Sequence, residues 1–393
     1  MKRIALSILF IFISLTSLMA SRSSDFEYMK NTIASLHKDF YNSVSKADAD
    51  TKYNELSRNV DEMDEAEFYF TLSSYLALSH DSHTSLSSQD IWQHFLYIPI
   101  QLNFIGEKLY GVSGRAEYAS LLAKEVIRIN DMSVSEAVKR GASAVPHDNE
   151  VYLRLWLGGQ LNNTAFLCFI GAAGDKTSHV RLTFSDGTEA LLEPMDAMTL
   201  RSGELVSAVK SYSEYIHQGY YAVRDLGNKA ILISYNTCSE DPSYPIKEFT
   251  EEIKKTLKEV KPERIIVDLR YNGGGNSALF EPIIKMLKKQ KCGKYCLIGE
   301  NTFSSAILNA VSLKDDAGFR LVGSPTGGSI NHFGELRSFT LPDSGWEVYY
   351  STKYFRMSRK YDGPIRPDII IERTIEDYVS GHDAGMAYCL SEK

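Results

Sequence analysis

The chain has 393 residues, enough for two or three domains, and its 24% charged and 44% apolar residues exclude an intrinsically disordered chain and a polytopic membrane protein. Its 43 basic and 50 acidic residues give a net charge of −7, which argues against a nucleic-acid-binding protein. Five cysteines are too few for a disulfide framework in a chain of this length. These properties fit an ordinary folded enzyme or binding protein.

Residues 1–20 have the pattern of a secretory signal. Lys2 and Arg3 form a basic start, residues 4–20 carry no charge, and the small residue Ala20 ends the stretch. An uncleaved anchor is the alternative, because the uncharged stretch reaches the lower limit of a membrane span. Serine and threonine within it favour cleavage. The segment predicts an exported bacterial protein, periplasmic or extracellular, with membrane contact only through an uncleaved signal.

In an exported chain, the cysteines could form disulfide bonds. Cys292 and Cys296 could pair across a short loop in an oxidising compartment. Cys168, Cys238 and Cys389 show no metal-ligand or redox-motif spacing, and we expect them to be small buried hydrophobic residues. The odd total leaves at least one thiol free or intermolecular.

The rest of the chain divides into three regions. Residues 21–94 carry apolar residues at intervals of three and four and contain no glycine, which predicts a bundle of amphipathic helices. Residues 95–215 read as short strands and turns, a small mixed α+β domain in which Pro99 places the first strand at a sheet edge. In residues 216–393, strands alternate with helices such as 246–260, which predicts a largely parallel sheet with helices on its faces.

Ligands of such a sheet bind outside the carboxyl ends of its strands. The first motif at such an end contains three glycines and reads Asp268-Leu269-Arg270-Tyr271-Asn272-Gly273-Gly274-Gly275-Asn276. The glycines let the backbone approach a ligand closely and leave amides free to donate. A tight turn is the simpler interpretation. A phosphate loop is a third, but the Gly-Lys-Ser/Thr ending of such loops is missing.

The second motif follows the next strand, begins a helix and reads Thr302-Phe303-Ser304-Ser305-Ala306. A serine in this position is most often a helix cap. At the carboxyl end of a parallel strand, however, the Ser304 hydroxyl could face a cleft. The Ser305 amide could then donate to an oxyanion alongside the amide of Gly274.

The third motif ends the helical region and reads Ser79-His80-Asp81-Ser82-His83-Thr84-Ser85. Two histidines three residues apart could bind a metal, but no third ligand cluster accompanies them. A histidine is also the commonest base that turns a serine hydroxyl into a nucleophile. His83 could have this role if folding brings it across 221 residues to Ser304.

Together these motifs resemble those of the C-terminal-processing serine peptidases, over most of residues 60–375. The ordered set is Asp81-Ser82-His83-Thr84, Asp268-Leu269-Arg270 with Asn272-Gly273-Gly274-Gly275, Thr302-Phe303-Ser304-Ser305-Ala306, Gly323-Ser324-Pro325-Thr326-Gly327-Gly328 and Arg366-Pro367-Asp368-Ile369. The resemblance implies an α/β catalytic core of the crotonase/ClpP type in residues 216–393. It also implies a degenerate PDZ-like domain in residues 95–215, which could be a peptide groove or a purely structural insert.

Members of this family activate their serine in one of two ways. Tail-specific proteases use a lysine, but Ser329 stands where that lysine would follow the nucleophile. The tricorn-core branch uses a serine-histidine pair, the nucleophilic serine and a glutamate near the C-terminus. The resemblance to this branch implies that Ser304 is the nucleophile, that His83 is the general base and that Ser82 orients the imidazole.

The fourth member of that set is a departure from the family. Asp362 is the best-placed acid before the Pro-Asp motif, and it would help to hold the imidazole through Ser82, although it is one methylene shorter than glutamate. Glu335 and Asp368 are the other acids worth testing. The amides of Gly274 and Ser305 would form the oxyanion hole.

The sequence thus predicts an exported serine endopeptidase that acts on protein or peptide substrates and implies no metal or organic cofactor. A related serine esterase is one alternative, because a nucleophile and an oxyanion hole do not by themselves select amides. The other alternative is a catalytically inactive peptide-binding protein that kept the fold.

Overall fold

The structure is a computed structural model that describes residues 21–87, 91–210, 215 and 217–392. The predicted signal, residues 1–20, lies outside the described residues. Among the helices that are described, none is long and apolar enough to cross a membrane. The described chain forms a helical N-terminal part, a mixed insert and an α/β part.

The N-terminal part contains three α-helices, as its apolar spacing predicts: α1 (Arg22–Leu36), α2 (Lys46–Leu56) and α3 (Glu65–Leu76). Side-chain oxygens of Ser21, Ser45 and Asp64 cap their first turns by accepting backbone N–H groups. Helix α3 is buried over almost its whole length. It is therefore a rigid support for the loop that follows it, which carries His83.

The next part of the chain combines short strands with four helices. Its strands are β1 (Ser85–Leu86), β2 (Leu96–Tyr97), β3 (Ile100–Ile105), β4 (Lys108–Arg115), β5 (Glu125–Ile129), β6 (Met132–Ser133), β7 (Val180–Phe184), β8 (Glu189–Leu192), β9 (Met195–Asp196) and β10 (Leu205–Ser207). Its helices are α4 (Val134–Gly141), α5 (Glu150–Gln160), α6 (Thr164–Phe169) and α7 (Ala197–Ser202). The main sheet has the order β10-β4-β5-β7-β8. Among the described strands, β3 pairs with β4 alone, in agreement with the edge position predicted from Pro99.

The sequence pattern does not predict helix α5, which connects the insert to the α/β part. Asn149 caps this helix, and its Nδ2 donates to the carbonyl of Gly327 at 2.7 Å. The other end of the helix packs closely on β3, because Gly158 has no side chain. A Cβ at Gly158 would lie 3.1 Å from the Cα of Asn103. Helix α5 therefore sets where the loop before it, including Asp148, lies.

The α/β part is built on the predicted sheet. Its strands are β11 (Tyr221–Asp225), β12 (Ala230–Tyr235), β13 (Arg264–Asp268), β14 (Gly293–Ile298), β15 (Arg320–Gly323), β16 (Asn331–Thr340), β17 (Glu347–Arg356) and β18 (Ile369–Ile370). Its helices are α8 (Ile246–Val260), α9 (Glu281–Lys288), α10 (Ser305–Asp315), α11 (Ile375–Ser380) and α12 (Ala384–Ser391). The sheet has the order β11-β12-β13-β14-β15-β18 and is parallel from β12 to β18. Only the first pair of this sheet, β11 with β12, is antiparallel.

Strands β16 and β17 form an antiparallel hairpin that leaves the α/β part and packs on the N-terminal helices. Strand β17 pairs with β1, and Val348 belongs to the same hydrophobic core as Phe26 of α1. That core also contains Ile129 of the insert. The regions predicted as residues 21–94 and 95–215 therefore share one core, and the hairpin completes it.

All five cysteines are free thiols, so the suggested pairing of Cys292 with Cys296 is wrong. Cys296 lies in β14 and its side chain is fully buried in the core of the α/β part. Cys292 precedes that strand and is partly exposed. Strand β14 thus turns the Cys296 thiol into the core, where it packs as a small hydrophobic group.

Candidate active site

Ser304 lies at the N-terminus of α10, after the loop that follows β14. Its φ of 53° and ψ of −125° are strained values for a residue with a side chain. Gly274 lies so close that a Cβ there would be 2.6 Å from the Ser304 Cβ. The Ser304 hydroxyl is half-buried and has no hydrogen-bond partner among the described residues. A strained backbone therefore presents an unpaired hydroxyl beside the glycine loop.

Ser305 has a different role in the same loop. Its Oγ donates to the carbonyl oxygen of Gly275 at 2.6 Å and so holds the glycine loop in place. Its backbone N–H is the first of α10 and has no acceptor within the described part of the chain. The Ser305 amide is therefore free to donate a hydrogen bond to an oxyanion next to Ser304, whereas the Ser305 hydroxyl already donates to Gly275.

The amide of Gly274, the second predicted oxyanion donor, is engaged elsewhere. Its N–H donates to Oδ1 of the buried Asn272 at 2.9 Å. Asn272 is held in turn by its Nδ2, which donates to the carbonyl of Tyr235 at 2.8 Å, and by the Cys238 thiol, which lies 3.4 Å from Oδ1. Of the predicted pair of donors, only the Ser305 amide is free in this arrangement.

His83 lies in the loop after α3 and is only 6% exposed. Its ring stacks on Phe303, the neighbour of Ser304, with 4.4 Å between ring centroids. Neither ring nitrogen forms a hydrogen bond with any described residue, so the expected bond to Ser304 is not made here. Burial lowers the pKa of His83 to about 4, although the charge of Asp81 opposes this shift. The imidazole is therefore neutral at pH 7 and able to accept a proton.

A run of five stacked rings joins the parts of the molecule around His83. Tyr152 of α5 stacks on Phe303 with centroids 5.2 Å apart, and Phe303 stacks on His83. His83 stacks on His332 at 5.5 Å, and His332 stacks on Phe355 of β17 at 5.4 Å. This ring stack orients the plane of the His83 ring with groups from the insert, the serine loop and the hairpin.

Asp81 is the acid nearest to His83, and the sequence interpretation gave it no role. Its Oδ1 accepts the His83 backbone N–H at 2.8 Å and lies 3.7 Å from the His83 Nδ1. Its Oδ2 accepts hydrogen bonds from His37, Thr84 and Ser351 at 3.1, 2.7 and 2.6 Å. Burial opposes the ionised form, but these bonds and the nearby His83 lower the pKa of Asp81 overall. A carboxylate next to the Ser82-His83 pair was the sequence signal that could have identified it.

Asp81→Asn is expected to destabilise the protein by about 3 kcal/mol, because an amide nitrogen would face donors that now share a buried carboxylate. Urea unfolding at pH 7 measures this loss. Since the pKa of Asp81 is lowered, its stabilisation is fully present above the ordinary value of 3.8 and is lost as the pH falls below it. The exposed Asp39 is the control, and Asp39→Asn should change stability by about 0.5 kcal/mol or less. A loss at Asp81 no larger than the control's would contradict this role.

Ser82 lies beside a second acid, Asp148, in the loop before α5. The Ser82 Oγ and the Asp148 Oδ2 are both inaccessible to solvent, and neither has a hydrogen-bond partner of suitable geometry among the described residues. Burial, and then the negative charge of Asp81, raise the pKa of Asp148 to about 7, while the hydroxyls of Ser82 and Ser329 act in the opposite direction. Ser329 is buried. No sequence pattern marks Asp148, because only the fold brings it to Ser82.

Among the described residues, none of the three acids suggested by the sequence is hydrogen-bonded to Ser82, His83 or Ser304. Asp362 is exposed and accepts the N–H of Gly363 at 2.9 Å. Glu335 pairs with Lys353 on the exposed part of the hairpin, and Asp368 accepts the N–H of Leu321. A role for Asp362 stays a prediction, whereas Asp81 and Asp148 are the buried acids beside the serine-histidine pair.

The two histidines of the third motif are not a metal pair. The ring of His80 faces His147, with 6.0 Å between centroids, whereas His83 faces Phe303. Across the ranges that the structure describes, no three His, Cys, Asp or Glu side chains are grouped as metal ligands.

A cavity of about 950 Å³ lies beside residues 299–301, which precede the serine motif, and neither Ser304 nor His83 lines it. It is lined by Phe104 and Leu155 of the insert, by Glu300 and Asn301 after β14, and by Tyr378 of α11. Burial raises the pKa of the Glu300 carboxyl. The cavity lies at the carboxyl ends of β14 and β15, where a ligand of this kind of sheet is expected.

Comparison with known proteins identifies relatives by fold alone. No family model and no curated protein matches this chain. A solved mutant of CPAF has a TM-score of 0.62 at 11% identity and covers 94% of this chain and 95% of that chain. Mature CPAF complexed with lactacystin has a TM-score of 0.59 at 13% identity, covering 94% and 96%. A putative peptidase from Parabacteroides merdae has a TM-score of 0.51 at 15% identity, covering 95% and 96%.

The similarity extends over nearly the whole length of each chain, so it includes the helical part, the insert and the α/β part together. The mixed α/β fold implied by the motifs is confirmed. At these identities the likeness establishes the fold, and the chemistry of the site has to be argued from its own residues.

Proposed function

We propose that this protein is a serine peptidase in which Ser304 attacks the substrate carbonyl and His83 accepts the Ser304 proton. The observation that carries the proposal is the strained backbone of Ser304, with its unpaired hydroxyl at the start of a helix. Strain of this kind persists only where the surroundings impose it, and it is typical of nucleophiles at strand-to-helix turns.

The surroundings of Ser304 support this chemistry. The Ser305 amide would stabilise the oxyanion, a contribution of about 3 kcal/mol for one donor. His83, neutral at pH 7, would return its proton to the leaving amine. Asp81, in place of the expected Asp362, would stabilise the imidazolium that forms.

Two contacts would have to change when substrate binds. The His83 ring would move within the ring stack to reach Ser304, since the two are not hydrogen-bonded here. The Gly274 amide would leave Asn272 to become the second oxyanion donor. Catalytic hydrogen bonds often tighten only in the complex with substrate, so both changes are of an expected kind.

Protein or peptide chains are the proposed substrates, with side chains bound in the cavity beside Glu300 and Asn301. Export is part of the same proposal and rests on the pattern of residues 1–20. The chemistry of the site needs no metal or organic cofactor.

Reaction with a fluorophosphonate probe tests the proposal. We expect one label per chain, located at Ser304 by peptide mapping, and at least a 100-fold slower reaction in His83→Ala. Parallel assays with peptide and ester substrates then separate a peptidase from an esterase. An intact, folded protein that takes up no probe would overturn the proposal.

An inactive peptide-binding protein is the second candidate, and one contact favours it. The Gly274 amide is held by Asn272, which is itself anchored by two further hydrogen bonds. If this arrangement persists with substrate present, the oxyanion hole has one donor. Peptide binding without probe reaction and without hydrolysis would identify this case.

A further inference from the structure

We propose that Asp148, supplied by the insert, is a positioning residue that acts on His83 through the Ser82 hydroxyl. This inference rests on the proposed function of Ser304 and His83. It assigns a role in the site to the insert.

The position of Asp148 is set by contacts between distant parts of the chain. The Nδ2 of Asn149 donates to the Asp148 Oδ1 at 2.9 Å, to the Gly327 carbonyl at 2.7 Å and to the Ser329 Oγ at 3.0 Å. One buried amide therefore ties the loop before α5 to the segment after β15. These bonds fix Asn149 and so limit the movement of the adjoining Asp148.

Three buried polar groups lack partners; two of them belong to the consecutive residues Ser82 and His83, and the third belongs to Asp148, on which Ser82 acts. They are the ring nitrogens of His83, the Ser82 Oγ and the Asp148 Oδ2, each without a hydrogen bond within the described residues. Buried polar groups are rarely left unpaired, because each costs about 1–3 kcal/mol. A hydroxyl can accept one hydrogen bond while it donates another. Rotation of Ser82 would let it accept from a His83 N–H and donate to Asp148, which pairs one ring nitrogen, the Ser82 hydroxyl and the Asp148 carboxyl and leaves the other ring nitrogen for Ser304.

The charged groups around Asp148 determine the pH range in which its carboxyl is ionised. The ionisable side chains that face it are Asp81 from the loop after α3, Tyr152 from α5 and Tyr354 from β17. His147 is its neighbour along the chain. Burial raises the pKa of both tyrosines, so they are neutral at pH 7, and Asp81 is the charge that opposes ionisation of Asp148.

These charges predict a pH dependence of the reaction. Asp148 changes charge near its pKa of about 7, well above the value of about 4 for His83. Ionised Asp148 accepts the Ser82 hydrogen bond and adds negative potential that favours the His83 imidazolium. The rate should therefore rise as the pH increases through about 7.

The stability of the folded protein should fall, while the reaction rate rises, as the pH increases through about 7. The pKa of Asp148 is raised above its ordinary value of 3.8, so the folded state favours the protonated carboxyl. The stability gained from protonation is fully present below 3.8 and is lost as the pH rises through about 7. Asp148→Asn, which is neutral and of equal size, should then be as stable as the wild type at pH 8, or more stable, although it reacts more slowly.

The test measures fluorophosphonate labelling rate and melting temperature of the full chain between pH 5 and pH 9. For Asp148→Asn at pH 8 we expect a labelling rate about 10-fold lower, which corresponds to a change of about one unit in the pKa of the base. The labelling rate of this variant should not rise near pH 7. Its melting temperature should be unchanged or higher. Asp148→Glu should recover part of the rate. Asp131→Asn, in the same domain and fully exposed, is the matched control and should behave as the wild type.

A double mutant tests whether the effect passes through Ser82. If it does, Ser82→Ala combined with Asp148→Asn reacts no more slowly than the slower single variant. Multiplied losses would overturn the pathway through Ser82. An unchanged rate and pH profile in Asp148→Asn, or a lower melting temperature at pH 8, would overturn the positioning role. A wild type that takes up no probe would instead overturn the proposed function, and this role with it.

Discussion

Ser304→Ala is expected to lower fluorophosphonate labelling and peptide hydrolysis by a factor of about 10⁴ or more, since within the described residues Ser304 presents the unpaired hydroxyl beside Gly274. The Ser305 hydroxyl is the nearest substitute, and its bond to the Gly275 carbonyl holds it away from this role. The measurement is the second-order rate of labelling, together with turnover of any peptide that the wild type cleaves.

Ser305→Ala is the matched control for this substitution. It keeps the backbone N–H proposed for the oxyanion hole and removes only the hydroxyl that holds Gly275. We expect it to remain reactive, with a loss of about 10-fold or less from a looser glycine loop. Reaction kept in Ser304→Ala and lost in Ser305→Ala would mean that Ser305 is the nucleophile.

Arg270→Ala is expected to cause the largest loss of stability, about 3–5 kcal/mol, because it leaves two buried carboxylates without a cation. The Arg270 guanidinium donates to Asp268 at 2.7 and 3.0 Å and to Asp383 at 2.8 and 2.9 Å. Its side chain is 11% exposed and those of both acids are less so. The ion triad ties the N-cap of α12 to the start of the glycine loop, so its loss should also slow labelling of Ser304.

Urea unfolding of the full chain measures the effect. Arg320→Ala is the control, because Arg320 pairs with Glu392 at the surface, where such a pair contributes about 0–1 kcal/mol. A loss at Arg270 no larger than the control's would contradict a structural role for the triad.

Local pattern was sufficient for much of the α/β part. Helix α8 spans Ile246–Val260, the range predicted from its periodicity, since Phe249, Ile253 and Leu257 recur every four residues and are buried on one face. The predicted strands of this part also form a largely parallel sheet. Its strand ends bring the glycine loop to the serine loop, as the contact of Gly274 with Ser304 shows.

Local pattern failed where tertiary contacts decide the structure. Helix α5 is stabilised by its packing on β3 and by the Asn149 cap. Neither contact produces a regular spacing of apolar residues in the sequence. The hairpin β16–β17 was missed as well, because it packs on the N-terminal helices and not on the parallel sheet. Its partners are hundreds of residues away along the chain.

The sequence by itself determined the alternating strands and helices from β12 to β15 and which loops meet at the edge of the parallel sheet. It could do so because periodicity and turn residues are local, and because the carboxyl ends of neighbouring parallel strands lie side by side. The tertiary structure decided which acids accompany His83, how Ser82 is placed and whether the Gly274 amide is free. These depend on burial and on charges from distant segments, such as Asp81 beside Asp148, which no local pattern of residues records.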